Sequence, residues 1–276
     1  MPNHQDIIRS YKMVNMLLIL TFSALLSSCQ EKFDQTKVQS DINRGLIAFW
    51  PFDNDLNNII LDASENEITG MGYSITYEKG TVGQAAVFNG TGSRILFPSL
   101  NGQPPLLISN LQIGSIALWF KYKSLGAQIL PVLYFGESQT GTSHNSLIIE
   151  IGHGGGTNLS NKKLYFTIVN QGFCFDSGIN LIENSWYHFV AVVGADGNTG
   201  YLNGIEMTGR NYNLGSNNSF SNFFYDVPVK ELLSLGYGRY GQEDPFFTFN
   251  GSIDEVRIYD RPLNSAEAKE LYEQGN

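Results

Sequence analysis

The sequence predicts an all-β domain, and three observations carry that expectation. From Gly45 onward short apolar runs follow one another, separated by Gly, Asn, Asp and Pro, the spacing of a sandwich or barrel. Aromatics make up 13% of the chain, and 18 Phe and 14 Tyr far outnumber 3 Trp, which suits a pleated surface. Charged residues are only 16%, and 29 glycines supply turn geometry rather than helix. A domain of this length buries roughly 70–75% of its unfolded surface, so it needs no disulfide staples.

The runs that alternate, or are continuously apolar, predict strands at 46–52, 73–77, 85–88, 93–97, 114–123, 129–135, 146–152, 163–169, 172–176, 186–193, 200–203, 205–208, 232–236 and 247–259. Asn203-Gly204 between Tyr201-Leu202 and Ile205 is a type I′ hairpin signal, and Asp196-Gly197 marks the turn before it. In the last strand the alternation slips by one at Asp254-Glu255, which predicts a β-bulge. One helix is expected near the C-terminus. Asn264 caps it, Glu267 completes a capping box, and Ala268, Leu271 and Tyr272 form a one-sided apolar stripe. A helix this short must be held by docking on the sheets. Trp50, Trp119 and Trp186 each fall within an apolar strand and are expected in the core.

The first 28 residues read as a targeting signal. Arg9 and Lys12 precede an apolar stretch, Met13 to Leu26, too short to span a bilayer comfortably. It ends in Leu26-Ser27-Ser28-Cys29, which resembles the bacterial lipobox. That resemblance implies cleavage before Cys29 and acylation of its sulfur and amino group, a multi-chain anchor. Met13 offers a second start that would shorten the signal. Residues 30–44 are polar and aperiodic, a tether between membrane and domain. The expected organisation is a signal peptide over 1–28, lipidated Cys29 and tether over 29–44, and one domain over 45–276. The resulting location is the bacterial cell envelope, lipid-anchored to the outer membrane and either periplasmic or surface-exposed. Membrane contact is expected through the lipid only.

The formal net charge is −9, and loss of residues 1–28 leaves 15 basic against 25 acidic residues, a net charge of −10. Such a chain is repelled by phosphate backbones, so nucleic acid is not an expected partner. Asp and Asn carbonyls suit hard cations such as calcium. With Cys29 acylated, Cys174 has no partner for an intrachain disulfide, and Phe173-Cys174-Phe175 makes it a buried small hydrophobe.

Several segments together carry a family resemblance. Gly45-Leu46-Ile47-Ala48-Phe49-Trp50-Pro51-Phe52-Asp53, Asp62-Ala63-Ser64-Glu65-Asn66 and Gly83-Gln84-Ala85-Ala86-Val87-Phe88-Asn89-Gly90 resemble the opening of laminin G-like domains of the concanavalin A-like lectin/glucanase superfamily. Ile116 to Lys121, Trp186 to Val192 and Tyr201-Leu202-Asn203-Gly204 are similar to its central strands and hairpin. Phe249 to Leu263 resembles its closing strand. The chain departs from the pattern at Asn54 and Glu65, where the family often has Gly, and in a longer Asn-rich insertion over 211–227. The resemblance implies a two-sheet antiparallel jelly-roll sandwich with a short C-terminal helix. It also implies a structural calcium, for which Asp53, Asp62 and Asp254 are the candidate ligands, with turn capping as the competing role.

Glucanase relatives align two carboxylates on a Glu-x-Asp-x-Glu or Glu-x-Asp-x-x-Glu strand. The nearest string, Ser252-Ile253-Asp254-Glu255-Val256, lacks the outer glutamates, and no catalytic residue is assigned. His188 fits a structural strand position. His144 and His153 flank a strand near Gly154-Gly155-Gly156, which precede no helix and so make no phosphate loop. Sugar rings stack on aromatics, and their hydroxyls suit Asn and Asp. Phe223, Phe224 and Tyr225 in the insertion, with Tyr237 and Tyr240, are therefore the candidate ligand-binding residues; a satellite core is the competing role for each ring. Three functions follow: a non-catalytic module binding a polysaccharide, glycan or cell-surface protein; a glycoside hydrolase-like enzyme; or a structural and protein-interaction module without a sugar site.

Overall fold

The computed structural model describes residues 41–98, 104–123, 129–139, 145–152, 162–239 and 246–276. The chain divides into two units, 1–42 and 43–276. The signal peptide, Cys29 and the tether up to residue 40 lie outside the described residues, as do Tyr240, His144, His153 and the three glycines at 154–156.

The second unit is two antiparallel sheets face to face. One runs β14 (Ile205–Glu206), β13 (Gly197–Leu202), β12 (Tyr187–Gly194), β7 (Gly114–Tyr122), β19 (Asn250–Tyr259), β5 (Gln84–Asn89) and β4 (Thr76–Lys79), with β1 (Leu46–Trp50) also pairing with β19. The other runs β15 (Asn211–Asn213), β11 (Phe173–Asp176), β10 (Leu164–Ile168), β9 (Ser146–Ile151), β8 (Leu130–Gly136), β16 (Leu232–Leu235), β6 (Arg94–Leu96), β3 (Gly70–Tyr73) and β2 (Ile59–Ile60). A small ribbon of β17 (Tyr237–Gly238) and β18 (Phe247–Thr248) pairs with neither sheet and packs on β8. The predicted jelly-roll sandwich is the fold found.

The bulge explains how β19 serves two partners. Asn250–Ile253 pairs with β5 and Val256–Tyr259 pairs with β1. Between them the register against β7 slips from Asp254 to Arg257, and Glu255 takes a φ of 53°. The hairpin at Asn203-Gly204 has φ of 51° and 74°, the left-handed pair that a type I′ turn requires.

Alternation sets the core. Ile116, Leu118, Phe120 and Tyr122 of β7 point between the sheets and meet Ile149, Phe166, Phe173 and Phe175 from the other side. The opposite face of β7 is covered by the C-terminal helix (Ser265–Gln274). Tyr272 stacks on Trp119 at 5.5 Å between centroids, and His188 sits beside the pair. Asn264 Oδ1 accepts from the amides of Ala266 (2.9 Å) and Glu267 (3.0 Å), and Glu267 Oε2 accepts from Asn264 N (2.9 Å), the predicted capping box. His188 is buried and neutral, with its imidazole pushed down to about 3 chiefly by burial.

Three expectations are corrected. The strand expected at 73–77 is two strands in different sheets, because Ser74 takes a φ of 53° and turns the chain from β3 to β4. Trp186 lies just before β12, only partly buried, with Lys121 Nζ 4.8 Å above its ring; Trp50 and Trp119 are buried as expected. The 211–227 insertion supplies an edge strand, β15, and then dives into the core.

Candidate functional site

The outward face of the nine-stranded sheet concentrates the side chains with chemistry. Since Leu133, Phe135, Ile149, Phe166 and Phe175 face the core, their neighbours Tyr134, Ile148, Glu150, Tyr165, Thr167, Cys174 and Asp176 face the other way. At the β2–β3–β6 edge the same face is open. Arg94 lies over the ring of Tyr73 at 4.4 Å and near that of Tyr237 at 5.4 Å. Tyr237 stacks on Phe246 at 4.6 Å and 10°, and Phe246 meets Tyr134 edge-on at 5.8 Å. Beside Tyr73 a groove of about 500 Å³ is lined by Leu96, Pro98, Ser138, Glu231 and Leu232 among others. Glu231 accepts from Ser138 N (3.0 Å) and Oγ (2.7 Å), bonds that hold its carboxyl below the usual range. Tyr73 is 37% exposed, so one ring face and a charged rim are presented together.

Further across this face the polar groups are committed to each other. Asp176 accepts from Gly178 N (2.7 Å), Asn211 Nδ2 (3.0 Å) and Lys163 Nζ (3.2 Å). Glu150 is fully buried and separated from Asp176 by β10, whose Tyr165 is the register partner of both. Two strand spacings put those backbones roughly 10 Å apart. Glu137 pairs with Arg239 and accepts from Asn145 Nδ2 at 2.5 Å. Cys174 is buried beside Thr167, and burial pushes its thiol up to about 12, so it is an inert small side chain, as expected from its strand.

The predicted ligand residues separate. Phe223 and Phe224 are fully buried, meeting each other edge-on at 4.8 Å, with Phe224 against Phe135. Neither presents a ring to a ligand, because the apolar 223–227 stretch closes the end of the sandwich. Tyr225 between them and Val227 points out, 52% exposed, with Lys230 Nζ 4.7 Å above its ring. Among the described residues, Tyr237 is the one predicted ligand residue beside the groove aromatics. Tyr73, Arg94 and Glu231 escaped sequence reading: Tyr73 and Arg94 are isolated outward residues of short strands, Glu231 stands just before β16, and their meeting depends on cross-strand order.

The three candidate calcium ligands do not fit a shared ion. Asp62 spends both oxygens locally: Oδ1 accepts from Phe49 N and Ser64 N, and Oδ2 from Ser64 Oγ and Ile68 N, all within 2.8 Å. It is a loop organiser, the turn-capping alternative. Asp53 accepts from Gln84 N at 2.6 Å. Asp254 Oδ2 accepts from Thr81 N (2.8 Å), Thr81 Oγ1 (2.9 Å) and Val82 N (3.2 Å), while its Oδ1 is buried without a partner. Among the described residues no group of three or more His, Cys, Asp or Glu could hold a metal ion.

Residues 89–269 match a laminin G-type family model described as the concanavalin A-like lectin/glucanases superfamily. The chain belongs to this superfamily. No curated protein matches the sequence. Among solved structures, the superfamily fold is similar to domain 4 of AbnA, an extracellular arabinanase from Geobacillus stearothermophilus, in complex with arabinotriose: 25% identity, TM-score 0.54, 82% of this chain and 98% of that one. It is also similar to Trypanosoma rangeli sialidase in complex with sialic acid (16% identity, TM-score 0.59, 83% and 33%), of which it spans about a third. The binding domain of Paraclostridial Mosquitocidal Protein 1 shares the fold as well, at 15% identity and TM-score 0.56 over 84% and 52%.

Proposed function

We propose that the domain is a non-catalytic carbohydrate-binding module, and that a glycan lies along the groove beside Tyr73. The observation that carries this is the half-exposed Tyr73 ring backed by Arg94, with the Glu231 carboxylate and Ser138 on the facing rim. A pyranose or furanose ring offers C–H groups to the tyrosine face and hydroxyls to the charged rim. Stacking of Arg94 fixes the Tyr73 ring, so little rotamer freedom is lost on binding. The similarity to an arabinanase domain in complex with arabinotriose supports the ligand class, since this chain spans nearly all of that domain.

Tyr73→Ala is expected to weaken glycan binding roughly 5- to 10-fold, the scale of one aromatic stacking contact, with the melting temperature unchanged. The check is isothermal titration of array-identified glycans against residues 30–276. Equal affinity in the variant overturns the groove assignment. Hydrolysis of a polysaccharide, abolished by Glu231→Gln, would replace the binding reading with the glycosidase one.

Anchoring through Cys29 to the outer membrane is part of the same proposal. Cys29→Ser is expected to abolish acylation and move the protein from the detergent phase to the aqueous phase. Unchanged partitioning removes the anchor.

A further inference from the structure

The end of the sandwich where the domain begins carries two exposed leucines. Leu46 of β1 is the register partner of Tyr259, and Tyr259 is the partner of Ser115 at the start of β7. Just before β7 runs a short helix, Leu106–Ser109. Leu106 is 72% and Leu107 51% exposed. Tyr225, 52% exposed, lies beside them: its amide donates to Leu111 O at 2.9 Å. Lys230 Nζ donates to Ser109 O at 2.9 Å and covers the Tyr225 ring. Phe223 underneath packs so closely on Gly114 that a Cβ there would meet its ring at 2.7 Å.

We propose that this Leu106–Leu107–Tyr225 surface docks on the lipid bilayer. The proposal rests on the Cys29 anchor. Fourteen positions separate Cys29 from Asn43, and a chain of that length reaches at most about 50 Å and averages roughly 20 Å. The tethered end therefore stays at the membrane at high effective concentration, and two exposed leucines there meet lipid repeatedly. The chemistry suits a headgroup boundary: aliphatic tips to insert, an amphipathic tyrosine, and a lysine among the last groups outside. The charges adjoining these segments in the chain are mixed, with Arg44, Lys230 and Arg261 against Asp226 and Asp260, so insertion rather than electrostatic attraction supplies the contact. The opposite end offers a control. Ile205, 73% exposed, follows the Asn203-Gly204 turn and pairs with Leu202, which pairs with Phe189, four residues or about 13 Å along β12 from Val193.

The test uses the full acylated chain in vesicles of phosphatidylethanolamine and phosphatidylglycerol, 3:1 by mole, containing nitroxide-labelled lipid. Cys174 is buried, so an added Leu106→Cys or Ile205→Cys takes an environment-sensitive fluorophore selectively. The expected result is quenching at 106 several-fold stronger than at 205, reduced toward the 205 level by Leu107→Ser. Equal, weak quenching at both positions in a chain whose N-terminal peptide carries the acyl mass overturns the docking surface alone. A peptide without that mass overturns the anchor and the docking together.

Discussion

Trp50→Ala is expected to cost about 3–5 kcal/mol, more than any exposed substitution in the domain. Trp50 is fully buried, and its ring stacks on Phe97 at 3.9 Å and 29°. Its strand, β1, belongs to one sheet through the Trp50–Val256 pair, while Phe97 directly follows β6 of the other. The indole thus links the two layers. Its Nε1 also donates to Ile68 O at 2.7 Å, fixing the crossing segment before β3. Alanine leaves both a cavity and an unsatisfied buried carbonyl. Trp50→Phe retains most of the ring and loses the hydrogen bond, so it is expected to cost about 1–2 kcal/mol. Urea denaturation of the three proteins measures both; a Trp50→Ala midpoint equal to wild type contradicts the linking role.

Asp254→Asn is expected to make the domain more stable above neutral pH and to flatten its pH dependence. Asp254 has no exposed surface, and burial pushes its carboxyl up to about 7 against the opposing hydrogen bonds from Val82 and Thr81. The unfolded chain titrates the same group near 3.8. Between these values the folded state holds a proton that the unfolded state has lost. Stability therefore falls as pH rises from about 4 to about 7, and the loss is complete above it. Three units correspond to a loss on the order of 2–4 kcal/mol. Asparagine keeps an oxygen for Thr81 and Val82 and carries no charge. Thermal melts of both proteins from pH 4 to 8 read the slope, which should shrink in the variant; an unchanged slope assigns it elsewhere. Repeating the melts in millimolar calcium reads the cation separately. Stabilisation of the wild type by calcium that Asp254→Asn abolishes would put an ion at Oδ1.

Much of the sandwich was legible because its rules are local. The continuous apolar run of β7, the one-residue slip at Asp254-Glu255, the Asn203-Gly204 turn and the Asn264–Glu267 box each fix structure within a few residues. Other features were decided only by tertiary packing. Phe223 and Tyr225 stand two residues apart in an Asn-rich insertion, yet one is sealed under Gly114 and the other faces solvent. Composition cannot separate them, since burial depends on which side of the loop meets the open end of the sandwich. The groove is the same case at larger scale. Tyr73, Arg94 and Glu231 are scattered along the sequence, and they meet because β3, β6 and β16 are neighbours in one sheet, while Tyr237 reaches Arg94 from the separate β17–β18 ribbon. Strand periodicity determined that each strand would have an outward side; only the order and register of the strands decided which outward residues would share a surface.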